Sequence, residues 1–127
     1  MIDMLQMLGF IPGETLFGFP YDWRQGPDVL APLLGSYILT IFCRTGGKKL
    51  TLISHSFGGL ICLCYQQLNA REYYSHVKRF IPLACPINGA GKPLEAILTG
   101  YNFDLPQTVA PTTTLHTVAV FLFQHFL

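Results

Sequence analysis

The sequence predicts an α/β fold, a parallel sheet flanked by helices, on three observations. Short apolar runs alternate with longer segments of helical spacing. The runs are apolar throughout rather than at every second position, as expected of parallel strands buried on both faces. Half of the residues are hydrophobic and 12% are charged, and the mean hydropathy of +0.39 suits a buried α/β core or a piece of one. At 127 residues the chain forms at most one domain.

Each element follows from its residues. Ile2, Leu5 and Leu8 recur at helical spacing, and Gly9 supplies the stop. Ile11-Pro12-Gly13 is a turn. Thr15 to Phe19 has strand composition, and Pro20 to Arg24 is the loop after it. Gly26-Pro27 breaks the chain. Asp28 caps a helix to about Cys43, with Pro32 near its first turn, and Gly46-Gly47 ends it. Lys48-Lys49 lead into a strand from Leu50 to Ile53. A turn at Ser54 to Gly58 opens a helix that runs to about Asn69. Arg71 to His76 reads as a polar connection, and Val77 to Ala84 as a strand in spite of Pro82. Pro86, Asn88, Gly89 and Gly91 form a loop. Such alternation places helices on both faces of the sheet. Leu50–Ile53 and Phe80–Ala84 are expected to pair in parallel, with the helix from Leu60 to about Leu68 as the crossover. Beyond Asp104 the alternation fades. Residues 1–103 are therefore the expected α/β part, and 104–127 a divergent or truncated tail.

Charge and cysteine content narrow the function. The net charge is +1 and no basic stripe exists, which argues against nucleic acid as a partner. Cys43, Cys62, Cys64 and Cys85 show neither a C-x-x-C motif nor zinc spacing, and read as small buried hydrophobes. The N-terminus has no basic region and no cleavage site of a secretory signal. Leu33–Cys43 and Leu115–Leu127 are apolar but shorter than the ~20 residues of a spanning helix. Both read as core or interfacial segments. The sequence leaves the compartment open; the cytosol and an endomembrane surface both fit, with peripheral membrane contact as an option.

The chemistry is carried by Ser54-His55-Ser56-Phe57-Gly58. An apolar strand precedes it and an apolar helix, Gly59 to Tyr65, follows. Strand, sharp turn with a central serine, helix is the layout of a nucleophile elbow, usually G-x-S-x-G and here S-x-S-x-G. Bulky side chains beside the serine would collide with the strand and helix, and Ser54, Gly58 and Gly59 avoid this. The helix start behind Ser56 offers N–H groups to a developing oxyanion.

Three segments resemble the lecithin:cholesterol acyltransferase family, in its plant phospholipase A and acyltransferase branch. They are Thr15-Leu16-Phe17-Gly18-Phe19-Pro20-Tyr21-Asp22-Trp23-Arg24-Gln25, the elbow from Lys49 to Leu60, and Cys85-Pro86-Ile87-Asn88-Gly89-Ala90. The last is similar to the family's Thr-Pro-aromatic-x-Gly-Ala loop. Ala96 to Gly100 also fits the plant members. The resemblance covers about residues 1–103 and implies the central part of an α/β-hydrolase domain. It implies a serine that takes an acyl chain from a glycerophospholipid or related lipid ester and passes it to water or to a lipid alcohol. Ser56 falls on the family's nucleophile. Phe57 falls on the residue whose backbone N–H is an oxyanion donor. No metal or organic cofactor is required.

The triad order in this fold is serine, acid, histidine. Family members place both partners far downstream of the serine, whereas this chain runs only to Leu127. Asp104 follows too closely, and His116 and His125 lack matching surroundings. The alternative function is thus a catalytically inactive truncated fragment that at most binds lipid or a partner protein. A soluble esterase of the same fold is a third reading, against which Tyr21-Asp22-Trp23-Arg24 speaks.

Other residues have plainer readings. His55 adjoins the nucleophile and should point away from it, as a packing residue rather than the base. Asp22 and Arg24 read as a structural ion pair, with substrate contact as the alternative. Phe19 and Trp23 read as buried core aromatics before acyl-pocket residues. His76 reads as a surface residue.

Overall fold

The computed structural model describes residues 1–91. They contain, in order, α1 (Ile2–Met7), α2 (Pro27–Arg44), β1 (Leu50–His55), α3 (Phe57–Leu68), α4 (Ala70–His76) and β2 (Val77–Leu83). The residues fall into two compact units, one of Met1–Asp22 with Pro27–Cys85, the other including Trp23–Gly26 and the chain from Pro86. The expected tail, 104–127, lies outside the described residues.

In the first unit β1 and β2 pair in parallel, Leu52 opposite Phe80, Ile53 opposite Ile81 and His55 opposite Leu83. The parallel pairing and the crossover expected from the sequence are both present. The crossover is longer than expected, because Arg71–His76 is not a polar connection. It is most of helix α4, which buries Tyr73. The packing of Tyr73 into the core, rather than propensity, holds so short a helix.

Helix α2 starts at Pro27 in the first helical position, with Asp28 inside the first turn rather than capping it. Pro32 falls in the second turn and costs one helical hydrogen bond. The helix continues because Leu30, Ala31, Leu34, Ile38 and Ile41 are buried along one stripe. It closes with two bonds, Gly47 N–H to the Phe42 carbonyl at 2.8 Å and Gly46 N–H to Cys43 at 3.2 Å. Gly46 has φ +70°, so this is a Schellman ending that needs glycine.

The core joins α2, α3, α4 and the start of β2 through Leu30, Ala31, Leu34, Ile38, Ile61, Cys62, Tyr65, Tyr73 and Val77. Helices α2 and α3 approach closely at Gly35, where an added Cβ would lie 2.6 Å from Cε2 of Tyr65. Leu50, Leu52 and Phe80 pack on this core from the sheet.

On the other sheet face Ile53, Ile81 and Leu83 are each about 40% exposed. Several expectations are corrected. Thr15–Phe19 is not a strand. Its start is folded into a local turn in which the Ile11 carbonyl accepts from Glu14, Thr15 and Leu16, and Thr15 Oγ1 accepts from Ile11 N–H. Strand composition cannot form a ladder when the backbone groups are already bonded locally. Cys43 is exposed rather than buried, since it falls off the buried stripe of α2. Trp23 is 54% exposed rather than a core aromatic. In the second unit, Gly89 N–H closes a turn onto the Pro86 carbonyl at 3.0 Å.

Among the described residues no helix is long and apolar enough to cross a membrane.

Candidate active site

The site lies where β1 hands over to α3. At Ser56 the chain leaves the extended conformation for φ 52°, ψ −124°. A residue with a Cβ adopts such values at a cost of about 1–3 kcal/mol. Two hydrogen bonds hold the backbone there. Ser56 N–H donates to the Leu83 carbonyl at 2.9 Å, and Gly59 N–H donates to the Ser56 carbonyl at 3.0 Å. The turn between strand and helix is the geometry the small-residue pattern predicts.

Serine at a helix N-cap ordinarily turns its Oγ onto an N–H of the first turn. Ser56 is the N-cap of α3 and makes no such bond. Its side chain is exposed, so the hydroxyl stays available for chemistry. Ser54 is the opposite case: it is 8% exposed and its Oγ is buried without a hydrogen-bond partner. Of the two serines, only Ser56 is exposed.

Space dictates the neighbours. A Cβ on Gly59 would lie 2.7 Å from Cβ of Cys85, would overlap its Sγ, and would sit 3.3 Å from Ser54 Oγ. On Gly58 it would meet Tyr21 Oη at an ordinary 3.4 Å. The position that demands glycine is therefore three residues after Ser56, not two.

Phe57 is the first residue of α3. Its ring faces Tyr21 at 6.2 Å, Tyr21 stacks on Phe19 at 5.9 Å, and Phe19 meets Tyr37 at 5.6 Å. The Tyr37 hydroxyl donates to the Gly18 carbonyl at 2.9 Å. This aromatic row ties the segment before the elbow to α2 and confirms Phe19 as a packing residue. Tyr21 and Cys85 were missed as parts of the site. The signal for both was their place in the family-like segments. Burial, and then Cys62, pushes the Tyr21 phenol above its usual value. Burial, with Cys85 adding to it, pushes the Cys62 thiol up to about 11.

The histidines are placed unevenly. His55 is exposed at the end of β1, where strand alternation carries it to the opposite face from Ser54. His76 is not a free surface residue, since its ring lies 4.5 Å from Phe42. It precedes Val77, which pairs with Leu50 at the far end of the sheet, about 20 Å from Ser56 along the strand. Asp104, His116 and His125 lie outside the described residues. Among the described residues no three His, Cys, Asp or Glu side chains gather as a metal site.

The profile of the lecithin:cholesterol acyltransferase family matches residues 1–121. Phospholipase A(1) LCAT3 of Arabidopsis thaliana is 41% identical over 106 residues, covering 81% of this chain and 24% of the relative. Lecithin-cholesterol acyltransferase-like 4 of the same plant is 37% identical over 75% of this chain and 18% of its own length. The lysosomal phospholipase A and acyltransferase of Homo sapiens is 29% identical over 84% of this chain and 26% of its own length. The chain thus spans about a quarter or less of the relatives it matches. No solved structure gives a significant match. With β1, the strained serine turn, α3 and the parallel β2 in place across a segment that the family profile matches, the chain belongs to the lecithin:cholesterol acyltransferase family and carries part of its α/β-hydrolase fold.

Proposed function

We propose that Ser56 is the nucleophile of a lipid acyltransferase or phospholipase of which this chain forms part. The observation that carries the reading is the Ser56 turn: backbone fixed on both sides, side chain exposed, hydroxyl not spent on capping. The names of the relatives, phospholipase A(1) and lysosomal phospholipase A and acyltransferase, support a glycerophospholipid or related lipid ester as substrate.

In this mechanism Ser56 Oγ attacks the ester carbonyl as a base takes its proton. The tetrahedral oxyanion is stabilised by the Phe57 backbone N–H at the start of α3. Collapse expels the lysolipid and leaves acyl-Ser56. Water then releases a fatty acid, or a lipid alcohol carries the acyl group away. The base and its carboxylate partner come from residues other than His55 and His76. The site's residues need no metal for these steps.

The experiment is covalent labelling. The chain is extended on both sides with the flanking sequence of the Arabidopsis phospholipase A(1) and treated with a fluorophosphonate probe. Labelling is expected at Ser56, abolished by Ser56→Ala and retained in Ser54→Gly. Adduct formation at Ser54, or undiminished labelling of Ser56→Ala, would overturn the assignment.

A further inference from the structure

Behind the elbow Cys85 lies against α3 at Gly59, and Cys62 stands one turn further along the same helix. Cys85 follows Ala84, a non-glycine residue at φ 48°. That left-handed step ends β2 and lays Cys85 over α3 at Gly59, where a β-carbon would overlap the Cys85 sulfur. Cys62 lies three residues further along α3. Residues three apart share a helix face, and helical side chains lean toward the N-terminus. Cys62 therefore leans over the turn that Cys85 covers. It is only 7% exposed, whereas Cys85 is half-buried. Cys64 leaves on another helix face and Cys43 is exposed at the end of α2.

We propose that Cys62 and Cys85 are a redox pair, which a hydroperoxide converts to a disulfide that fastens the end of β2 to α3 directly behind the elbow. Cys85, the more accessible thiol, attacks as thiolate on the terminal peroxide oxygen. The O–O bond breaks, an alcohol leaves, and Cys85 carries a sulfenic acid. The Cys62 sulfur then attacks the Cys85 sulfur and gives up its proton. The S–O bond breaks and water leaves. Two thiols and one hydroperoxide become one disulfide, one alcohol and one water, the two electrons passing from sulfur to the O–O bond. The Cys85 charge is among the causes that raise the Cys62 thiol, after burial, in keeping with their proximity. Gly59 makes the pair possible, because any larger residue would push Cys85 off the helix. The disulfide would tie the end of β2, whose Leu83 carbonyl accepts from Ser56 N–H, to α3, the helix that starts at Ser56, so the redox state would act on the geometry of the elbow.

The test uses the 127-residue chain. It is treated with tert-butyl hydroperoxide, remaining thiols are blocked with iodoacetamide, and tryptic peptides are sequenced by mass spectrometry. The expected product joins the peptide Leu50–Arg71 to the peptide that begins at Phe80, bonded through Cys62. It is lost in Cys62→Ser and Cys85→Ser, kept in Cys64→Ser and Cys43→Ser, and several-fold less abundant in Gly59→Ala. The oxidised chain should melt at a higher temperature, and dithiothreitol should reverse the rise. In guanidinium the preference for Cys62 over Cys64 should vanish. A bridge through Cys64 or Cys43, equal loss of all four thiols, a preference that survives denaturation, or Cys85 recovered as a sulfinic acid without a bridge would each overturn the proposal.

Discussion

Ser56 donates its backbone N–H to the carbonyl of Leu83 at 2.9 Å. The bond carries the β1–β2 ladder one residue beyond the strands, into the turn itself. On either side of it the chain enters the left-handed region, at Ser56 with φ 52° and at Ala84 with φ 48°. The only two described non-glycine residues with positive φ thus flank a single hydrogen bond. Strain of this kind persists only where the surroundings over-determine it, and here the sheet on one side and α3 on the other do so.

The strain at Ser56 is measurable. Ser56→Gly should raise stability by about 1 kcal/mol, the relief of the turn less the extra chain entropy of glycine. Ser56→Ala keeps a Cβ and should change stability little. Urea midpoints of the two variants decide it, and a less stable glycine variant would show that the turn is relaxed.

Gly59→Ala should cost about 2 kcal/mol, the ordinary penalty of overpacking a tight contact. In a Cys85→Ala background the cost should fall by about 1 kcal/mol, because Sγ of Cys85, the nearest atom in the way, is gone while its Cβ stays. A double-mutant cycle with no coupling would mean that the contact is not the reason for the glycine.

Tyr65 is 1% exposed and its hydroxyl is buried with no hydrogen-bond partner. Tyr65→Phe removes that unpaired group and keeps the ring against Gly35. It should stabilise the chain by about 1 kcal/mol in urea unfolding. A destabilised variant would reveal a partner for the hydroxyl, such as a bound water.

Alkaline pH should weaken the fold. Cys62 titrates near 11 in the folded chain against an ordinary 9. As pH rises past 9 the unfolded chain loses this proton first, so it binds fewer protons and stability falls. The contribution is complete below pH 9 and is lost as pH rises through 11, on the order of 2 kcal/mol. Burial also raises the Tyr21, Tyr65 and Tyr73 phenols, which add in the same direction. Unfolding free energies at intervals from pH 8 to 11 should slope downward, and Cys62→Ala should flatten the lower part of the slope.

Local pattern was enough for much of the site. Small residues around Ser56, an apolar run before it and an apolar helical run after it define a strand–turn–helix whatever surrounds them. The parallel pairing of β1 with β2 was legible too, because two apolar strands joined by a helix of this length have few other arrangements. The same short-range logic failed at Thr15–Phe19, whose strand composition has no ladder to join among the described residues. It failed again at Arg71–His76, where a single buried tyrosine turns a polar stretch into a helix.

What the sequence by itself determined is the strand–turn–helix at Ser56 and the family, since both rest on residues adjacent in the chain. Tertiary structure alone decided which serine is exposed, why residue 59 must be glycine, and that Cys85 lies against α3. Those facts depend on Ala84 turning Cys85 onto α3 and on Leu83 meeting Ser56 across the sheet. These are contacts between residues more than twenty positions apart, and no local periodicity encodes them.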